Sequence, residues 1–169
     1  MEVMEAILGR RSIRRYTGHG ISDATLRRLL EAGMSAPSAG NEQPWEFVVI
    51  DERKLLDAIP AIHPHSQMLK EAPLAIAVCG DLQREKHLGF WMQDCSAATE
   101  NILIAAHAHG LGAVWLGIYP REERIQGIRR ILSIPDHIIP LSLIAVGYPA
   151  EEKAGVNRYD ESRIHRNGW

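Results

Sequence analysis

Four apolar runs of strand length, most of them separated by helical stretches, predict an α+β protein folded as a three-layer α/β/α sandwich. With 169 residues the chain is about one domain's worth. A chain of that size buries roughly 70% of the surface its unfolded form exposes, so no disulfide framework is needed. No repeat, low-complexity segment or linker interrupts it, so a single domain is expected over residues 1–169.

Each element has its own signal. Val3, Met4, Ile7 and Leu8 recur at helical spacing, and Gly9 ends that helix before an arginine run. Ser22-Asp23 starts a second helix with Leu26, Leu29, Leu30 and Gly33 on one face, ending near Met34. Ser35 to Pro44 (SAPSAGNEQP) collects prolines, a glycine and an asparagine, which is demanding loop chemistry. Trp45 to Ile50 is the first strand. Glu52 to Ala58 is a short helix and Ile62 to Ser66 a His/Pro-rich turn. Pro73 to Gly80 is a near-continuous apolar run, the pattern of a strand buried on both faces. The longest helix covers Phe90 to His109, with Gly110 placed to cap it. Alanines at 97, 98, 105, 106 and 108 let a neighbouring backbone come close, so this helix is expected to be central and to pack against a second subunit. Gly112 to Ile118 is the third strand. Pro120-Arg-Glu-Glu opens a helix with acids at its positive end, buried through Ile125, Ile128, Ile131 and Leu132. Leu141 to Gly147 is the fourth strand, and a polar tail follows as far as Arg163-Ile164-His165 and Trp169.

Composition removes several function classes. Hydrophobic residues are 46% and charged residues 24%, which excludes disordered, collagenous and coiled-coil chains. The net charge of -2 gives no field for gripping nucleic acid or an anionic membrane, so a bound anion must be held by a local cluster. Cys79 and Cys95 lie in apolar surroundings outside any CxxC and read as small buried hydrophobes. The N-terminus mixes acids with its first apolar residues, unlike a signal peptide, and no apolar run reaches bilayer length. A cytoplasmic location is therefore expected. No Cys/His/Asp set has ligand spacing, so no metal is expected. No GxGxxG follows a strand and no nucleophile elbow is present, which leaves Rossmann and hydrolase readings without footing.

Two segments carry chemistry. In an extended Arg10-Arg11-Ser12-Ile13-Arg14-Arg15, residues 10, 12 and 14 project to one side, where guanidinium forks and a hydroxyl suit a phosphate. Pro37-Ser38-Ala39-Gly40-Asn41-Glu42-Gln43-Pro44-Trp45 offers small side chains, backbone amides and two carboxamides, which suit the face and rim of a flat heteroaromatic ring.

Together and in this order, RRSIRRY, SAPSAGNEQPWEFVVI, APLAIAVCGD, the Ala-rich helix ending in HGLGAVWLGIYP, and RYDESRIHRNGW resemble the nitroreductase family of FMN-dependent oxidoreductases over nearly the whole chain. The resemblance implies a nitroreductase-like FMN-binding fold, with a central mixed sheet of four or five strands flanked by helices. It also implies an obligate homodimer with two FMN sites at the subunit interface. Position by position, Arg10 and Ser12 would face the phosphate and ribityl chain, with Arg11 assisting, and Arg14 would lie at the N1/O2 edge of the ring. Pro37, Ser38, Ala39 and Asn41 of the other subunit would pack on and rim the ring. Gln67 would reach the pyrimidine edge, and Leu116 and Gly117 would place a backbone amide near flavin N5. Arg163 would return from the tail to the phosphate, with His165 and Arg158 as alternatives. Burial of the Trp45 and alanine-helix surfaces would accompany dimer formation.

By the same resemblance FMN carries the chemistry, tuned by Arg14 and Gly117, and no side chain is catalytic. NAD(P)H would be a transient reductant, followed by a nitroaromatic or quinone acceptor in ping-pong fashion. A flavin-binding protein without NAD(P)H turnover, or a relative that consumes its reduced flavin, is the alternative. The chain is short for the family and has no helical excursion to roof the flavin. An open site is expected, with specificity set by His63-Pro64-His65 and Leu88-Gly89-Phe90-Trp91.

Overall fold

In the computed structural model, which describes all 169 residues, the strands are β1 (Trp45–Ile50), β2 (Leu74–Asp81), β3 (Gly112–Gly117) and β4 (Ile138–Gly147). The helices are α1 (Val3–Gly9), α2 (Asp23–Met34), α3 (Arg53–Ala58), α4 (Trp91–Ala108) and α5 (Glu122–Leu132). The four strands form one sheet in the order β1-β2-β4-β3. All three pairings are antiparallel, so the expected mixed sheet is corrected to an antiparallel one. The reason is topological. Strands β2 and β3 run in the same direction and are joined through α4 as a crossover unit, but β4 lies between them and opposes both.

Strand alternation divides the interior into two cores. On one face Leu143 and Ala145 of β4 meet Ala75 and Ala77 of β2, closed over by Leu56 of α3 and by Ile125 and Ile128 of α5. On the other face Ile144 and Val146 meet Ile76 and Val78, closed over by Leu29 of α2 and by Cys95, Ala98 and Ile102 of α4. Helices on both sides of the sheet make the three expected layers. The continuous apolar pattern of β2 follows from burial on both faces.

Local chemistry fixes the ends of these elements. Ser22 Oγ accepts a hydrogen bond from the Thr25 N–H at 3.2 Å and starts α2. Gly110, with φ +75°, follows α4 and lets the chain turn into β3. At Gly80 a Cβ would strike the Trp91 ring, so only glycine lets α4 begin this close to β2. Thr99 Oγ1 donates to the Cys95 carbonyl at 2.8 Å and lies 2.9 Å from Ser142 Oγ, which satisfies both buried hydroxyls between α4 and β4. Cys79 and Cys95 are buried free thiols, and burial pushes the Cys79 thiol up to about 12.

The ends of the chain differ from this pattern. Helix α1 forms where expected, but Val3, Met4, Ile7 and Leu8 are exposed and only Ala6 is covered. Beyond Ala150 the tail has Tyr159, Ile164 and Trp169 in solvent. It is tied down where Arg11 Nε donates to the Ala154 carbonyl at 3.0 Å and Lys153 Nζ donates to the Ser12 carbonyl at 2.6 Å. Trp45 is already buried within its own chain, so the expectation that dimer formation covers it is corrected.

Candidate active site

Strand β3 is an edge, and its outer side borders a cavity of about 470 Å³. Arg14, Gln67, Leu116 and Gly117, all expected from sequence, line this cavity together. The β3–β4 register and the Ile118 N–H to Leu141 carbonyl bond direct even-numbered β3 backbone groups towards β4. Odd-numbered groups therefore point outwards. At position 113 the Ile13 N–H donates to the outward carbonyl at 3.0 Å. At position 117 the outward carbonyl accepts from His63 Nε2 at 3.0 Å and from Arg124 Nη1 at 2.8 Å. The Gly117 N–H faces the same edge, and nothing lies within 4 Å of where its Cβ would stand.

His63 is 1% exposed, and its bond to a carbonyl places its proton on Nε2. Burial holds its pKa below the ordinary histidine value, and the Arg124 charge lowers it further. The ring is therefore neutral, with Nδ1 buried and unpartnered. Sequence reasoning placed His63 in a specificity turn and read Arg124 only as part of a helix. Neither position carries a local signal that both converge on one peptide.

The loop of residues 37–41 lies elsewhere and does not line the cavity. Gly40, Asn41 and Gln43 all adopt left-handed backbone at φ +53°, +55° and +48°. At Gly40 a Cβ would run into the His87 ring. Gln43 donates from its backbone N–H to Ser38 Oγ and from Nε2 to Asn41 Oδ1, both at 3.0 Å. The Ala39 N–H donates to Asp94 Oδ1 at 3.0 Å and thereby fixes the loop to the first turn of α4. Glu42 Oε2 accepts from the Lys86 N–H at 2.6 Å and the His87 N–H at 3.0 Å. Asp94 and Glu42 are both buried, and Asp94 Oδ2 and Glu42 Oε1 each lie there without a hydrogen-bond partner. Burial, together with the neighbouring Glu42 charge, pushes Asp94 up. Burial opposes ionisation of Glu42, but the two backbone donors outweigh it and hold that carboxyl below its usual range.

The arginine run divides between two places. Arg14 faces the first cavity, whereas Arg10 and Arg11 border a second one of about 600 Å³ beside tail residues 155–159. The three alternating side chains thus do not converge within one chain. Arg10 pairs with Glu100 of α4 at 3.2 Å. Arg11 donates to the carbonyls of Leu8, Arg10 and Ala154, leaving Nη2 buried without a partner. Ser12 forms a bridge with Ala113. Arg163 is exposed and pairs with Asp160 at 3.1 Å. Arg158 borders the second cavity, and His165 stacks on Trp169 with centroids 4.3 Å apart. No group of three or more His, Cys, Asp or Glu is placed to hold a metal ion. No helix is long and apolar enough to cross a membrane.

Comparison with known proteins gives a consistent answer. The model of the Nitroreductase family matches residues 7–65 and 61–148. A protein of Methanothermobacter thermautotrophicus named for NADH dehydrogenase and NAD(P)H nitroreductase is 51% identical, over 100% of this chain and 88% of its own length. An FMN-dependent nitroreductase structure from Clostridium difficile superimposes with a TM-score of 0.91 at 30% identity, covering 98% of this chain and 99% of that one. A nitroreductase structure from Desulfovibrio desulfuricans in complex with FMN superimposes with a TM-score of 0.86 at 33% identity, covering 100% and 98%.

Proposed function

Because the chain belongs to the nitroreductase family, we propose that it is an FMN-dependent NAD(P)H oxidoreductase working as a homodimer, with flavin lodged where two copies meet. The observation that carries this reading is the cavity at the β3 edge, where Arg14, Gln67 and the outward Gly117 peptide meet. These residues suit a flavin ring. The Gly117 N–H is a donor beside open space, Gln67 offers both donor and acceptor for a pyrimidine edge, and Arg14 offers positive charge.

When bound, FMN supplies the redox chemistry, taking two electrons from NAD(P)H and giving them to a nitroaromatic or quinone acceptor in a ping-pong cycle. The polypeptide binds, orients and tunes. Arg14 at the N1/O2 edge favours negative charge there. His63 and Arg124 hold the Gly117 carbonyl from behind, so the N–H beside N5 keeps one direction. Leu116 gives that edge an apolar floor. Arg10, Ser12 and Arg163 neutralise and hydrogen-bond the phosphate, while Arg11 stays on its backbone carbonyls and orders the turn between them.

Pro37, Ser38, Ala39 and Asn41 of the second copy cover the ring. Their separation from the cavity within one chain is what a site shared between two chains requires. The uncovered stripe of α1 supports the same assembly, since exposed contiguous apolar surface marks an interaction site.

Purified protein is expected to be yellow, to bleach with NADH or NADPH under anaerobic conditions and to recolour with a nitroarene or quinone. The Arg10→Ala/Arg163→Ala double variant is expected to remain a folded dimer and to purify largely colourless. Full flavin occupancy in that variant would overturn the phosphate assignment. Flavin that binds but bleaches only very slowly would turn the reading towards a flavin carrier or sensor.

A further inference from the structure

We infer that Arg124 makes the cavity beside Gly117 a docking site for an acceptor whose ring carries a carboxylate. The inference rests on the flavin reading above and names the substrate class of that site. Arg124 reaches the cavity from α5 and spends one N–H on the Gly117 carbonyl at 2.8 Å. A guanidinium has five N–H donors, so the remaining ones stay free for a ligand. Arg124 forms no salt bridge, and no Asp or Glu lines the cavity. The lining also includes Met68, Trp115 and Leu116. With Arg14 committed to the flavin, the unmatched Arg124 guanidinium in a concave site concentrates a positive field and favours an anion carried on an apolar body.

The position of the charge selects the anion. The Gly117 carbonyl fixes Arg124 next to the peptide that borders the reacting edge. A carboxylate attached to the acceptor ring lies one bond from that ring and matches the guanidinium fork. The phosphates of a reducing nucleotide are held a ribose away from its nicotinamide and fall outside this reach. Arg124 thus acts on the acceptor and leaves donor binding to other surfaces.

The test uses the flavin-loaded dimer and two ligand pairs that differ only in charge. Benzoate is expected to bind about tenfold more tightly than benzamide by calorimetry, the effect of one partly exposed charge-assisted pair. The same preference is expected in kcat/KM for 4-nitrobenzoate over 4-nitrobenzamide. Arg124→Gln should abolish both preferences, whereas Arg130→Gln, which removes the same charge from the exposed last turn of α5, should keep them. Any displacement of the Gly117 peptide moves both members of a pair alike, so the ratio isolates charge recognition. Equal binding of the two ligands by the unmodified protein overturns the inference. So does a preference that survives Arg124→Gln, or an Arg124→Gln effect confined to KM for NADH. A colourless protein that NADH does not address sinks the flavin reading and this inference together. A yellow protein bleached by NADH that shows no charge preference sinks the inference alone.

Discussion

Leu143 and Ile144 are neighbours on β4 and are both fully buried, one in each core, whereas Val3, Met4, Ile7 and Leu8 repeat along α1 just as regularly and stand in solvent. The sheet and its helical layers close on themselves. The ends of the chain carry apolar surface that this chain does not cover. A seven-residue helix has little stability of its own, so an uncovered stripe on it is informative about assembly. The site divides along the same line. Arg14, Gln67 and Gly117 share one cavity at the edge of the closed part, while Arg10 borders another beside the tail and the 37–41 loop lines neither.

The largest effect tests the closed part. Leu143→Ala and Ile144→Ala should each lower unfolding stability by about 2–5 kcal/mol in urea titration, because each leaves a cavity in a separate core. A cost below about 1 kcal/mol for either would mean that its face of the sheet is not sealed. A smaller effect tests the open part. Ile7→Asp with Leu8→Asp should leave the circular dichroism spectrum unchanged and weaken self-association by about 2–4 kcal/mol in sedimentation equilibrium, as loss of an interface anchor does. Unchanged association would remove α1 from the subunit contact.

Much of the closed part was legible because periodicity reports burial directly. The expected strand Trp45 to Ile50 is β1 residue for residue, and α4 differs from expectation by one residue at each end. Strand β4 starts at Ile138 and not at Leu141, because Pro140 interrupts the strand pattern. The sheet accepts that proline at a register shift between Val78 and Cys79, where the ladder is already broken. Strand direction was not legible, since insertion of β4 between β2 and β3 is a long-range choice that no local pattern encodes. Periodicity likewise shows which residues of α1 share a face but not what that face meets. In the site, Arg14 and Gly117 carried motif signals. His63 lies 54 residues from the carbonyl it holds, a distance at which only the folded chain reveals the pairing.

The smallest predicted effect lies on the border between the two regions, at the Asp94–Glu42 pair that fastens the 37–41 loop to α4. Asp94 has its pKa raised by burial and by Glu42. Its contribution to stability is complete below the unfolded value and is lost as pH rises through the folded one. Glu42 has its pKa lowered, chiefly because the Lys86 and His87 N–H groups overcome its burial. Its contribution is present above the unfolded value and is lost as pH falls through the folded one. The pair thus contributes most between the lowered Glu42 value and the raised Asp94 value, where Asp94 is protonated and Glu42 ionised. Asn at position 94 would offer Glu42 an N–H that does not titrate while keeping an oxygen for the Ala39 N–H. Asp94→Asn should therefore remove the alkaline-side fall in melting temperature, a difference of about 2–4 °C, the shift that about 1 kcal/mol produces in a chain of this size. The acid-side fall, which belongs to Glu42, should remain. A melting profile in which Asp94→Asn runs parallel to the unmodified protein at every pH would show that titration of Asp94 adds nothing and that the loop is held by the backbone bonds of Glu42 alone.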